Sequence, residues 1–290
     1  MSGKIARRDD RGVVRVSGEE AAAFLHGVVT CTTKTLGAGE GRLGALLTPQ
    51  GKILFDFFLT PHDDGFLIEV DRAILADFAK RLGFYRLRAK VAIADVSADW
   101  AVAIAFDGEA PAIPGAVAFP DPRVEGLGTH LLVPAAAAPA ATAALDDWHA
   151  LRIGLGVPES GRDFPLGDVF PHDVDMDDLG GVDFKKGCFV GQEVVSRMKH
   201  RGTARKRVVK AVAREARPAW PDAGTEITCG DKGVGTLGSS CGTAALALVR
   251  LDKAKAAIDS GDAIEVGGVT IGLEIPDFAG FDWPAEAVAD

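Results

Sequence analysis

Apolar and polar positions set out strand-like alternation and helical spacing by turns through the first half of the chain. Arg11–Val16 alternates as a strand does, and Ser17-Gly18-Glu19-Glu20 has the spacing of a capping box that opens a helix from Glu19 to about Val29. Arg42–Leu47 and Lys52–Leu59 flank Thr48-Pro49-Gln50-Gly51, whose turn chemistry predicts a hairpin. His62-Asp63-Asp64-Gly65 turns into a further strand, Phe66–Val70. Ile74, Leu75, Phe78, Ala79 and Leu82 recur at helical spacing and predict a helix over Arg72–Gly83, with Tyr85-Arg86-Leu87-Arg88 after it. Strands follow at Lys90–Val96, Trp100–Phe106 and His130–Val133, and a helix at Ala140–Leu155.

From Gly156 to Gly181, Pro, Gly and Asp break the pattern. Beyond residue 203 the texture becomes short β runs between Gly-rich turns: Arg207–Val212, Glu226–Thr228, Val234–Leu237, Ala245–Leu251, Ala263–Val266 and Val269–Glu274. That spacing predicts a small β-barrel or sandwich with a boundary near residue 205.

A length of 290 residues implies two or three domains. A net charge of −9 argues against a surface built to grip nucleic acid. No apolar run approaches the roughly 20 residues needed to span a bilayer, so no membrane role is expected. Met1–Gly12 reads as neither a secretory signal nor a transit peptide. The four cysteines, Cys31, Cys188, Cys229 and Cys241, form no C-x-x-C, which points to free thiols in a reduced, cytoplasmic protein.

Candidate chemistry concentrates in Lys185–Gly202. Cys188 follows two lysines and Gly187, a setting that favours thiolate and leaves room for a ligand; the alternative is a small buried hydrophobe. Gln192 and Glu193 offer an amide and a carboxylate suited to the N–H edge of a pterin or purine, or simply a helix N-terminus. Val194–Arg214 holds eight Lys or Arg and no acid, a patch for carboxylates, phosphates or an acidic partner, or else a solvated connector. His172, Asp173, Asp175, Asp177 and Asp178 lack calcium-loop spacing and read as a solvated acidic loop. Asp56, between Phe55 and Phe57, either serves a purpose or points outward by alternation. Tyr85 and Arg86 line a cleft or make ion pairs. Nucleotide-binding and serine-hydrolase motifs are absent from the sequence.

Lys186-Gly187-Cys188-Phe189-Val190-Gly191-Gln192-Glu193 resembles the K-G-C-[FY]-x-G-Q-E signature of the YgfZ-type folate-binding proteins, relatives of the T-protein (aminomethyltransferase) of the glycine cleavage system. Leu47–Ile53, Phe84–Val91 and Leu151–Gly154 fall in that family's order, so the resemblance covers roughly residues 10–275. It implies an α+β, three-lobed fold with ferredoxin-like units. Residues 1–204 would form the folate-binding region, with a second lobe inserted at about 46–135. Residues 205–280 would form a C-terminal β-barrel and 281–290 a tail.

The resemblance further implies a tetrahydrofolate-type cofactor, with no permanently bound metal. It implies a role in assembling or repairing iron–sulfur clusters, with [4Fe–4S] enzymes such as radical S-adenosylmethionine tRNA-modifying enzymes as clients and A-type cluster carriers as partners. Cys188 would be the functional thiol and a transient iron–sulfur contact. Lys186, Gly187, Gln192, Glu193 and Arg197, with Tyr85 and Arg86, would form the folate site. T-proteins usually carry Asp at the position of Cys188, and an Asp pair where this chain has Phe55-Asp56. That departure favours an assembly factor over the alternative, a folate-dependent aminomethyltransferase or related one-carbon transferase using Asp56. RNA binding through the basic segment is a third, less favoured reading.

Overall fold

The computed structural model describes residues 2–202, 204–216 and 218–285. The chain forms two compact units, Met1–Trp148 with Gly180–Gln192, and His149–Leu179 with Glu193–Asp290.

The first unit holds two antiparallel sheets. One comprises β2 (Arg11–Ser17), β3 (Arg42–Leu47), β4 (Ile53–His62), β5 (Gly65–Asp71) and β6 (Ala92–Asp95) in the order β3-β4-β5-β2-β6. Its alternation drives Val14, Val16, Phe55, Phe57, Ile68 and Val70 to one face, under α1 (Ala21–Val28) and α2 (Leu75–Arg86). Phe24, Leu25 and Val28 from α1 and Leu75, Phe78 and Leu82 from α2 complete that core. The other sheet has the order β1-β7-β9-β8, from β1 (Lys4–Arg7), β7 (Trp100–Phe106), β8 (Val117–Pro120) and β9 (Thr129–Pro134).

A buried ionic network links the two sheets. His130 on β9 places Nδ1 2.7 Å from Glu69 Oε2 on β5 and Nε2 3.1 Å from Asp121 Oδ2. Its ring lies between Phe58 and Phe119, at centroid distances of 4.3 and 4.9 Å. Arg11 donates to Glu69 at 3.1 Å and Arg123 to Asp121 at 2.7 Å. Carboxylates only accept, so both ring nitrogens carry protons and the imidazole is a cation.

In the second unit, α3 (Leu145–Gly154) crosses the unit limit and is followed by irregular chain, then by α4 (Gln192–Arg201). The barrel starts at β10 (Lys206–Ala213) and continues with β11 (Glu226–Cys229), β12 (Lys232–Cys241), β13 (Ala244–Arg250), β14 (Ile264–Val266) and β15 (Val269–Glu274). The strands close in the order β10-β13-β12-β11-β14-β15, which removes free sheet edges. Val209, Ala211, Ala245, Ala247, Val249 and Ile271 fill the interior, and α5 (Leu251–Ser260) adds Ala254 and Ala257.

Several sequence expectations need correction. The capping box does not form: Ser17 ends β2 opposite Gly65, and the N-cap is Glu20 without a side-chain cap. The second helix starts at Leu75 and runs through Tyr85 and Arg86, so these residues sit within its last turn rather than after it. The third helix begins at Leu145, not Ala140. Residues 286–290 of the expected tail lie outside the described residues.

Candidate functional site

The segment around the motif returns to the first unit as a strap over the end of α1. The Asp183 amide donates to the Thr30 carbonyl at 3.0 Å. The Thr30 hydroxyl in turn donates to the Gly181 carbonyl at 2.6 Å and accepts from the Ala45 amide at 2.8 Å. His26 Nε2 meets the Lys186 carbonyl at 3.0 Å. The Lys186 ammonium turns inward and donates to the carbonyls of Val29 and Cys31, while lying 5.5 Å from the Phe189 ring centroid. Burial pushes that amine down to about 8, against the opposing pull of Cys31 and Asp183.

Beyond Lys186, Phe189 is buried and Val190 packs on the sheet core. Gly191 has φ +79° and rests on the hairpin turn: a Cβ there would meet the Thr48 carbonyl oxygen at 2.5 Å. Two motifs remote in sequence therefore make one assembly. Between these anchors, Gly187 (φ +98°) has no atom within 4 Å of a would-be Cβ, and the Cys188 thiol is exposed. Cys188 is thus not the small buried hydrophobe that composition allows. Lys186, read from sequence as a support for its thiolate, holds backbone carbonyls instead.

Gln192 is half-buried, and its side-chain amide makes no hydrogen bond among the described residues. Glu193 and Arg197 belong to the second unit and pair with each other at 2.7 Å on the exposed face of α4. Tyr85 packs against the core of the five-stranded sheet, whereas Arg86 is exposed. No hydrogen bond or ring contact joins either to the strap among the described residues. Asp56 lies opposite Ala45 in the hairpin, half-buried, on the face away from Phe55 and Phe57. Phe55 itself is core, edge-on to Phe78 at 5.6 Å.

The acidic loop is not solvated: His172, Asp173 and Asp175 are buried. Its partner is the basic segment that follows the motif. Arg207 donates to Asp177 at 2.6 Å and to the His172 carbonyl at 2.8 Å, and Lys199 reaches Asp177 at 3.2 Å. Burial pushes the Asp175 carboxyl well up, against the opposing pull of Arg207. Burial acts on Asp177 too, but Arg207 outweighs it and holds that acid down. Two of the eight basic residues of that segment, Lys199 and Arg207, thus pair with the acidic loop within the second unit. The sequence reading passed over the Glu69–His130–Asp121 network, although a lone Glu in the apolar run Phe66–Val70 was a signal for it.

The fold has a solved counterpart. The crystal structure of glycine cleavage system aminomethyltransferase T from Bartonella henselae superposes with a TM-score of 0.74 at 16% identity, over 96% of this chain and 86% of that one. The protein thus has the α+β T-protein fold with a closed C-terminal barrel. Residues 205–281 match the family model described as the CAF17, C-terminal beta-barrel domain. The human iron-sulfur cluster assembly factor IBA57, mitochondrial, is 30% identical over 96% of this chain and 85% of its own length. IBA57 homologs of Neurospora crassa and Mycosarcoma maydis are 31% and 34% identical over 72% and 71% of this chain. The chain spans only 53% and 56% of those two fungal proteins. It belongs to the IBA57 family of iron–sulfur cluster assembly factors.

One expectation falls here. These relatives are named as mitochondrial proteins, which overturns the cytoplasmic assignment. Unbridged thiols do not say which compartment holds the protein.

Proposed function

We propose that this chain binds tetrahydrofolate or a one-carbon derivative and supports assembly or repair of iron–sulfur clusters, [4Fe–4S] enzymes such as radical S-adenosylmethionine tRNA-modifying enzymes being its clients. The observation that carries the reading is the exposed Cys188 thiol on a strap pinned at Lys186 and Gly191. Thiolates are iron ligands, but one thiol cannot hold a cluster. Cys31 is buried and supplies no second ligand in the first unit. A partner must provide the rest, which suits an A-type carrier. The human relative is named for cluster assembly, which points the same way.

Folate fits the strap on two counts. Open space over Gly187 admits a flat ring, and the Gln192 amide has hydrogen-bonding capacity to offer a pterin edge. Lys186 fixes the strap from beneath. Tyr85 and Arg86, of the same unit, are the further proposed contacts. When bound, the folate would supply one-carbon or redox chemistry beside the thiol.

Titration calorimetry with tetrahydrofolate and its formyl derivative should give saturable heat, weakened in Gln192→Ala. Absence of heat removes the folate assignment. Cys188→Ser should still bind folate but fail to sustain several [4Fe–4S] enzymes in cells; normal enzyme activity in that variant sinks the thiol role. The competing reading, one-carbon transfer, draws on Asp56, which the hairpin keeps half-buried on the face away from the core. Turnover of an aminomethyl donor, lost in Asp56→Asn, would establish it.

A further inference from the structure

Three large apolar side chains are exposed among the described residues, and two of them, Phe84 at 63% and Leu87 at 86%, lie three residues apart at the end of α2. Leu87 has φ 46° and ψ −108°. The Ala89 amide donates to the Arg86 carbonyl at 2.8 Å, closing a four-residue turn of type II′ with Leu87 at its first central position. That position calls for positive φ and normally holds Gly. Here a γ-branched side chain is held in a strained backbone and then left in water. Stability explains neither choice, and such strain persists where it serves a site.

The charges around this turn are mixed but lean positive: Glu19 and Glu20 face Lys90, and Asp64 is held by Arg15. Lys80, Arg81, Arg86 and Arg88 are exposed, and none forms an ion pair among the described residues. Arg81 lies 5.9 Å from the Phe84 ring centroid. Only Lys90 is engaged, by Glu19 at 3.1 Å. The nearby Asp77 on α2 leaves the four free. In a chain of net charge −9, this is a local reversal.

We propose that the Phe84–Leu87 turn, rimmed by Arg81 and Arg88, is a docking surface for an acidic protein partner that closes over two apolar side chains. This goes beyond folate binding and does not depend on it. A lipid surface fits less well. The apolar face of α2 is already buried through Leu75, Phe78 and Leu82, so no membrane-facing stripe remains. The chain's net negative charge also opposes adsorption to anionic lipid.

The full chain should be titrated with a fluorescein-labelled peptide of six glutamates around a central Leu-Phe pair, and with the same peptide carrying Ser-Ser. Wild type should prefer the Leu-Phe peptide, with affinity that falls as salt rises. Arg81→Glu with Arg88→Glu should weaken binding by about tenfold or more. Leu87→Gly should weaken it by about fivefold while leaving the thermal midpoint unchanged or higher, because strain is relieved. Equal binding of both peptides, wild-type affinity in Leu87→Gly, or no peptide binding at all overturns the proposal. So does binding to phosphatidylglycerol vesicles alone, or self-association lost in the same variants, since either assigns the surface to another occupant.

Discussion

A side chain on Gly191 would collide with backbone, not with a movable tip: the Thr48 oxygen at 2.5 Å and the Gly51 Cα at 3.0 Å. Its φ of +79° adds strain for any other residue. Gly191→Ala should therefore cost about 1–3 kcal/mol. Gly187→Ala shares the positive φ but has open space, so it should cost less. Thermal unfolding of the two variants separates clash from strain, and equal midpoints would contradict the seating of the strap on the turn. The residue types of this site were legible from sequence; their directions were not. Lys185 and Lys186 look equivalent as neighbours of a thiol, yet Lys185 is exposed while Lys186 reaches two carbonyls at the end of α1. Which way a four-carbon stem turns depends on what lies beneath it, and that is set by residues more than 150 positions away. Asp56 was readable, because alternation along a strand fixes its face.

Elements with a strong period were foreseen, and those that depend on neighbours were not. The strand Lys4–Arg7 has too little pattern of its own and exists through its pairing with Trp100–Phe106. The helix Leu251–Ser260 was passed over because its buried positions are mostly alanine, a weak periodic signal. The second helix continues past Gly83, which meets nothing within 4 Å and does not stop it. Between the two sheets of the first unit, His130 predicts a pH response. Burial alone would raise Glu69, but His130, Arg11 and Arg8 overcome it and hold the acid at about 2. Burial would lower His130, yet Glu69 and Asp121 raise it. The Glu69 contribution is complete above about pH 4.5 and is lost as pH falls toward 2. The His130 contribution is complete below about pH 6.5 and is lost as pH climbs through its raised value. Denaturant unfolding should show greatest stability between those limits. Glu69→Gln, which leaves Arg11 and His130 facing a neutral amide, should cost about 3 kcal/mol and flatten the acid limb, leaving the part that Asp121 contributes. An unchanged profile in that variant would discount the network.

At the scale of the molecule, the thiols report on folding. Cys188 and Cys241 are exposed, whereas Cys31 is buried, which pushes its thiol up to about 11. Pulsed alkylation of the native protein should modify the first two rapidly and Cys31 only when the first unit opens. Labelling of all three at one rate would contradict this burial. The same free thiols could not name a compartment, since that information belongs to cellular targeting and not to packing. The division of the chain carries one more consequence. The first unit is built from residues 1–148 and 180–192, with part of the second unit lying between them in sequence. Synthesis runs from the N-terminus at about 5–20 residues per second. A nascent chain grown as far as residue 170 would thus expose the carbonyls of Val29 and Cys31 and the Thr48–Gly51 turn, still lacking the strap that covers them. The residues that mark this family are the last piece of the first unit to leave the ribosome, so the exposed thiol enters the molecule together with the segment that completes that unit's fold.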